Sequence, residues 1–269
     1  TNMVLDAVMV AVLRLGVEGA AIATVISQVV GSVIPIIYFA KKNTSLLRFR
    51  KPAFRTDYIF KTVTNGFSEF LSNVSASFVS MVYNKQLMSY RGQDGVTAYG
   101  IIMYASFIFA AVFIGYAIGT APIIGYNYGA QNHDELKNVF KKSMILNFAT
   151  GIVMTTLSVV FAKLLCSIFV GYNPALLDFS AQAMRIFSIG FIFMGLNIFT
   201  SSFFTALNNG LISAIVSAFR TLVCQLVMVF TLPIIWGVDG IWISIVAAEA
   251  LALCLEIVFL ITNRKKYHY

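Results

Sequence analysis

Residues 96–124 read VTAYGIIMYASFIFAAVFIGYAIGTAPII and contain no charged side chain. A helix needs about 20 predominantly apolar residues to cross the roughly 30 Å hydrocarbon core of a bilayer, and this stretch is longer. It does not alternate apolar and polar residues over about ten positions, as strands of a membrane barrel do. It therefore predicts a membrane-spanning helix and an all-α fold.

Similar apolar stretches fill most of the chain. Hydrophobic residues make up 59% of the sequence and charged residues only 11%, whereas soluble domains carry about 25% charged residues. Residues 3–13 are interpreted as the tail of an earlier span. The complete spans are predicted at residues 17–40, 62–90, 96–124, 140–168, 176–206, 211–236 and 238–262.

The distribution of basic residues supports this topology and gives it a direction. If the spans alternate, 14 of the 19 Lys and Arg fall on one side of the membrane, and the basic side is normally cytoplasmic. The net charge of +8 then acts as an orientation signal, so no nucleic-acid partner is expected. We predict a multi-pass protein of the plasma membrane with a cytoplasmic C-terminus.

The most basic loop, residues 41–61, is predicted to connect two bundles. Residues 1–40 would then belong to an N-terminal lobe and residues 62–269 would form a six-helix C-terminal lobe. The segment Gly16–Val25 matches Gly237–Val246 at five of ten positions, as parallel internal repeats would. Because the first residues already resemble the middle of a helix, we expect a fragment of a twelve-span protein from which the rest of the N-terminal lobe is missing.

Several motifs resemble the multidrug and toxic compound extrusion (MATE) family. Pro122–Gln131 reads PIIGYNYGAQ and is similar to that family's Pro-x-x-Gly-Tyr-Asn-x-Gly-Ala run. Gly16–Thr24 resembles the opening of its sixth span, after an element carrying Asn2, Leu5 and Asp6. The resemblance implies two six-helix lobes and export of organic cations or other drug-like solutes. Na⁺ or H⁺ would be the coupling ion, with no other cofactor.

One predicted span carries a polar stripe. Its members recur at steps of three or four, which places them on one helical face. Such a stripe either lines an aqueous passage or joins neighbouring helices by hydrogen bonds. We predict a substrate and ion pathway, with Tyr104 and Asn197 as further members. The stripe consists of Asn65, Glu69, Asn73, Ser77, Ser80 and Asn84.

Three further ionisable residues lie within predicted spans. Glu249 and Glu256 are seven residues apart, hence on one face, and form a possible second polar patch. Because Glu256 is closer to the cytoplasmic end, we expect it to be solvated. Arg220 is expected to extend its long stem toward the lipid headgroups.

A small-residue motif precedes the family-like run. Gly115 and Gly119 form a Gly-x-x-x-Gly pair ahead of Pro122. Such pairs allow close helix approach, and proline favours a bend. We predict that these three residues form a hinge or packing site.

Other classes of function were weighed against export. The sequence shows no phosphate-binding glycine loop, zinc signature or nucleophile elbow, so neither an enzyme nor a metal site is expected. A flippase for lipid-linked oligosaccharides would line its cavity with several Arg residues. A seven-span receptor fits the number of spans but not the internal repeat. Export of a small cationic solute, with membrane lipid as the surroundings, is the preferred hypothesis.

Overall fold

A computed structural model describes residues 1–41, 55–267 and 269, without the side chains at 57, 58, 61, 64, 65, 68 and 69. Every element in these residues is a helix, which confirms the predicted all-α fold. The chain divides into two compact units, Thr1–Arg55 and Thr56–Tyr269. Most of the predicted basic connection at 41–61 lies outside the described residues.

The first unit contains two helical segments joined by a short turn. Helix α1 (Asn2–Asp6) continues into a π-helical segment, Ala7–Val12. After the turn, α2 (Gly16–Ala40) follows, with Glu18 in its first turn. An acidic side chain there favours the positive end of the helix dipole.

The second unit is a helical bundle, and asparagine side chains begin several of its helices. Asn132, Asn173 and Asn209 each accept a hydrogen bond from a backbone N–H in the first turn, which satisfies a donor that has no partner inside the helix. The elements are α3 (Thr56–Arg91), α4 (Gln93–Gly129), α5 (His133–Val160), α6 (Ala162–Val170), α7 (Pro174–Ser188), α8 (Phe191–Ala206), α9 (Gly210–Ala218), a π-helical segment (Phe219–Cys224) and α10 (Gln225–Tyr267).

Four helical stretches in the described part of the chain are long and apolar enough to cross a membrane, and a bent pair adds a fifth. Two of the predicted spans fall in one continuous stretch, Gly210–Tyr267, of 58 residues. At about 1.5 Å per residue, this stretch would far exceed the hydrocarbon thickness if it were straight. Gly237, with φ 56° and ψ −132°, interrupts it at the predicted boundary between the last two spans.

Two predicted spans are not straight single helices. The span predicted at 176–206 consists of α7 and α8, which are bent by 48° where they meet. The span predicted at 140–168 is divided between α5 and α6 at Phe161. Composition does not reveal either break, because no proline or charged cluster marks it. Helix α3 has 36 residues and carries the polar stripe; it is not among the four apolar stretches.

Three tight turns between helices each begin with a glycine in a positive-φ conformation; we call them corners. Gly16, Gly92 and Gly237 have φ values of 58°, 65° and 56°, a conformation in which glycine carries no steric penalty. Each precedes a helical turn with an acidic residue two positions later, and a second glycine follows three positions after the first. The two repeat copies recognised in the sequence therefore both begin at a glycine with positive φ.

The second glycine of each corner lies against the preceding helix. A Cβ added at Gly240 would lie 2.4 Å from the Leu232 carbonyl oxygen, and one at Gly95 would lie 3.0 Å from the Leu87 carbonyl oxygen. At Gly19 the Met9 carbonyl oxygen is 3.1 Å away. The spacing of the two glycines thus reverses the chain and lets the two helices meet.

Candidate functional site

A cavity of about 570 Å³ opens within the second unit. Helices α3 and α4 provide much of its wall, and α10 provides Ile245 and Glu249. Aromatic and aliphatic side chains alternate with polar groups around it, and such a mixture is found in small-molecule sites. The polar groups come from Asn73, Ser77, Ser80, Tyr83, Tyr99, Ser106, Thr221, Gln225 and Glu249.

The polar stripe of α3 lies only partly along this cavity. Asn73, Ser77 and Ser80 line it. Asn84 does not, and its Nδ2 donates to the Ser80 carbonyl oxygen at 2.9 Å. The side chains of Asn65 and Glu69 lie outside the described residues, so the role of Glu69 stays a prediction.

Tyr83 connects three helices at the cavity wall. Its hydroxyl donates to Gln225 Oε1 at 2.8 Å and is hydrogen-bonded to Ser244 Oγ at 2.9 Å. Its ring stacks on Tyr99, with centroids 5.7 Å apart and planes 2° from parallel. The sequence analysis missed Tyr83 and Gln225. The only available signal was that Tyr83 lies beside the α3 stripe, since Gln225 is 142 positions away.

An ion pair is buried next to the cavity. Arg220 Nε donates to both carboxylate oxygens of Glu249, at 2.9 and 3.2 Å. The side chains are only 14% and 5% exposed, respectively. Asn197 Nδ2 donates to Glu249 Oε2 at 2.7 Å and to the Glu249 carbonyl oxygen at 3.0 Å. The expectation that Arg220 extends toward headgroups is wrong, because a buried carboxylate pairs with it inside the bundle.

Glu256 lies about two helical turns beyond Glu249, on the same face of α10. It is 1% exposed, so the expectation that it is solvated is wrong: neighbouring helices cover this end of α10. Among the described residues, neither carboxylate oxygen makes a hydrogen bond of normal geometry. Arg220, Glu249 and the Thr200 side chain lie within its electrostatic surroundings.

The other predicted site residues are dispersed. Tyr104 is 67% exposed, stacks on Phe169 with centroids 6.2 Å apart and does not line the cavity. Asn197 is fully buried and belongs to the ion-pair cluster. Around Gly115 and Gly119, nothing beyond the helix's own nearby backbone lies within 4 Å of an added Cβ in the described structure.

Pro122 lies inside α4, which extends unbroken to Gly129. A proline in a helix interior removes one backbone hydrogen bond and favours a bend at that point. The hinge at Pro122 stays a prediction. The close helix approach predicted at Gly115 and Gly119 is not made within the described residues.

The apolar helices and the internal polar cavity define a multi-pass helical membrane protein. The MatE family model matches residues 70–231, more than half of the chain. The chain belongs to this family of transporters, as the motifs at Gly16–Thr24 and Pro122–Gln131 predicted.

Curated relatives include proteins named multidrug export protein MepA. The one from Staphylococcus saprophyticus is 27% identical over 285 residues, and the alignment covers 98% of this chain and 58% of the relative. The one from Staphylococcus haemolyticus is 25% identical over 266 residues, with the same two coverages. The chain thus spans less than two thirds of the length of these relatives.

Solved structures show the same fold. An outward-facing multidrug resistance MATE family transporter of the MOP superfamily matches with a TM-score of 0.90 and 23% identity, over 99% of this chain and 60% of that one. A MOP superfamily transporter from Pyrococcus furiosus matches with a TM-score of 0.90 and 22% identity, over 100% of this chain and 61% of that one.

Proposed function

We propose that the protein containing this chain is a secondary active exporter of organic cations or other drug-like solutes in the cell membrane. The observation that carries the proposal is the polar cavity inside an apolar helical bundle. Membership of the MatE family and the names of the relatives, multidrug export proteins, support it. The C-terminus would be cytoplasmic, and a second lobe of the same protein would complete the translocation pathway.

The cavity has the size and chemistry that an aromatic cation requires. Its volume of about 570 Å³ lies within the range of roughly 300–1,000 Å³ typical of drug-sized sites. The Tyr99 ring and the Phe107 ring are part of its wall, and ring faces attract cations. Glu249 adds a carboxylate, although Arg220 partly compensates its charge. Shape and aromatic contact, more than a free negative charge, would therefore select the solute.

An inward gradient of Na⁺ or H⁺ would drive export. An ionisable group at membrane depth is costly and commonly marks an ion pathway. Glu69 is one candidate from the sequence, and Glu249 and Glu256 are carboxyls that the structure places inside the bundle. The proposal therefore requires that at least one imposed ion gradient accelerates export.

The direct test is transport by the full-length gene product in proteoliposomes, with Na⁺ and H⁺ gradients imposed separately. A fluorescent aromatic cation serves as the probe. We expect one of the gradients to accelerate its movement against its own gradient, and its collapse with an ionophore to abolish that acceleration. If neither gradient has an effect while a lipid-linked oligosaccharide is flipped, the export proposal is wrong.

A cavity-filling variant tests which space the solute occupies. Ala110 lines the cavity, whereas Ala111, next to it on α4, does not line it and is exposed. We expect Ala110→Phe to reduce export of a large aromatic cation at least about tenfold, since a loss of 1.4 kcal/mol in binding is a factor of ten. Ala111→Phe should leave export unchanged. Equal effects of both variants would show that the solute takes another route.

Glu69 is tested by its neutral isostere. If Glu69 helps to bind the coupling ion, Glu69→Gln should remove most of the ion dependence of export, because the amide cannot exchange a proton or balance a cation. The measurement is export rate against ion gradient in proteoliposomes. Unchanged export with unchanged ion dependence would exclude Glu69 from the mechanism. Gln93→Ala, at an exposed corner, provides the control.

A further inference from the structure

The buried cluster around Arg220 contains more acid than base. Arg220 provides one positive charge, and Glu249 and Glu256 provide two carboxyl groups. Arg220 pairs with Glu249, and its Nε donates to both carboxylate oxygens. If Glu256 were also ionised, the cluster would hold one uncompensated negative charge in the interior of a membrane bundle. An uncompensated buried charge of this kind costs several kcal/mol, and a buried group normally avoids that cost by neutralising.

The hydrogen bonding around Glu256 also favours a neutral, protonated carboxyl group. A buried carboxylate normally accepts hydrogen bonds from N–H or O–H donors. In the described residues, the Thr200 hydroxyl interacts with Glu256, but neither Glu256 oxygen makes a hydrogen bond of normal geometry, and Asn197 Oδ1 is also buried without a partner. These three oxygens are thus buried acceptors that this arrangement of the cluster leaves unsatisfied. A proton on Glu256 would remove one charge and add one donor at the same time.

A proton suits this site better than a metal ion. No group of three or more His, Cys, Asp or Glu that could hold a metal occurs in the described residues. A bound cation would also lie near the Arg220 guanidinium, which repels it. The titratable and charged groups around Glu256 are Arg220 and Cys224 from the π-helical segment and Glu249 from α10. The nearby Thr200 on α8 does not titrate.

We propose that Glu256 is a proton-binding site, and that Arg220 controls its occupancy by pairing with one of the two glutamates at a time. The glutamate that Arg220 does not pair with carries the proton. In this structure Arg220 pairs with Glu249, and the proton is on Glu256. The π-helical geometry of Phe219–Cys224 supports this role, since such turns occur often at functional sites.

The exchange step balances in charge and in protons. Glu249 lines the cavity, and Glu256 lies about 10 Å further along the helix axis. When Glu249 takes a proton from cavity water, its attraction for the guanidinium is lost and Arg220 turns to Glu256. The Glu256 O–H bond then breaks, and its proton passes to water that the rearranged cluster must admit at this end of α10. One proton enters at Glu249 and one leaves at Glu256, so the cluster keeps its charge.

This mechanism would couple the cavity to a proton gradient, and only that consequence rests on the proposed function. The proton itself is detected without transport, by infrared spectroscopy of the purified full-length protein. A protonated carboxylic acid has a C=O stretch outside the amide bands. At neutral pH we expect such a band, and we expect Glu256→Gln to remove it. Persistence of the band in Glu256→Gln would contradict the assignment to Glu256, as would absence of the band from the wild type.

Variants at the other two charges test the control by Arg220. In Glu249→Gln, Arg220 has only Glu256 to pair with, so Glu256 should ionise and the band should be lost although Glu256 is intact. In the double variant Arg220→Gln/Glu249→Gln, no cation remains and the band should return. A band that is unaffected by Glu249→Gln would overturn the shared-arginine mechanism. Circular dichroism and the thermal midpoint identify any variant that fails to fold. If Glu256→Gln fails to fold, Glu256→Asp replaces it, and the band should then shift in frequency.

Two outcomes separate this proposal from the proposed function. The spectra are recorded in sodium and in choline salts, and we expect the band in both; its loss in sodium alone would show that the site takes Na⁺, contrary to the proposal. In proteoliposomes, Glu256→Gln should abolish proton-driven export. Export that continues unchanged in Glu256→Gln would overturn the coupling role but leave the exporter assignment intact. Failure of export in the wild type with the band present would refute only the exporter assignment.

Discussion

Arg220 and Glu249 form a buried pair whose energetics differ from those of an ion pair at the surface. Burying each charge costs several kcal/mol, and the mutual attraction repays that cost only with good geometry and further hydrogen bonds. Asn197 supplies such a bond to Glu249 at 2.7 Å. The pair therefore contributes more to the positions of the two charges than to the net folding stability.

Removing one partner should be more harmful than removing both. In Arg220→Met, Glu249 is left buried without its cation, and we expect a loss of about 3–5 kcal/mol in folding stability. The double variant Arg220→Met/Glu249→Leu should recover most of it. Thermal unfolding of the full-length protein in detergent measures both.

A matched control comes from an exposed ion pair. Lys163 Nζ lies 2.8 Å from Asp178 Oδ1, with side chains 61% and 68% exposed. Because water screens such pairs, Lys163→Met should cost at most about 1 kcal/mol. A double variant at the buried pair that is as unstable as Arg220→Met would show that the two charges do not act as a pair.

At the scale of helices, the chain is organised by its Gly-x-acid-Gly corners. The first glycine reverses the backbone with a positive φ, as at Gly237. The acidic residue lies in the first helical turn, where the dipole favours it. The second glycine lets the new helix contact the preceding one. Repetition of this corner at Gly16, Gly92 and Gly237 explains why an internal repeat is visible in the sequence.

The second glycine of a corner should tolerate no side chain. In Gly240→Ala, the new Cβ would lie 2.4 Å from the Leu232 carbonyl oxygen, so the helices must separate, at a cost of about 1–3 kcal/mol. Gly100→Ala should be neutral or stabilising by up to about 1 kcal/mol, because no atom beyond the helix's own nearby backbone lies within 4 Å of a Cβ added there. Thermal midpoints compare the two. Equal midpoints would show that the corner has room for a methyl group.

At the scale of the whole molecule, the basic loops predict which side of the membrane each end of the cavity-lining helix α4 faces. Because Lys and Arg are retained on the cytoplasmic side, the corner at Gly92 should be extracellular and the turn before α5 cytoplasmic. The residues of α4 that line the cavity, from Tyr99 to Ala110, lie between these two ends. An alternating-access transporter requires this placement, since a solute must reach the site from either side.

Cysteine labelling in intact cells tests that topology. In a Cys254→Ser background, Gln93→Cys should react with a membrane-impermeant maleimide, whereas Asp134→Cys should react only after permeabilisation. Both positions are exposed, so a difference reports the side of the membrane. Labelling of Asp134→Cys in intact cells would reverse the predicted orientation.

The sequence by itself determined the class of the fold and most of its helices. Long apolar runs at 96–124 and elsewhere have few alternatives to a membrane helix, and glycine clusters mark where the chain must turn. The family motifs at Gly16–Thr24 and Pro122–Gln131 were equally local. The breaks at Phe161 and between α7 and α8 were not predicted, because packing against neighbours and not composition decides them.

Only the tertiary structure decided which charges meet. Helical periodicity shows that Glu249 and Glu256 share a face, but it does not show what that face contacts. Arg220 is 29 positions from Glu249, and Asn197 is 52 positions away. Arg220 taken alone suggested headgroups as its surroundings, and Glu256 suggested solvent. The packing of α8 and the π-helical segment against α10 placed them together, because long-range contacts depend on how helices pack and not on the spacing within any one of them.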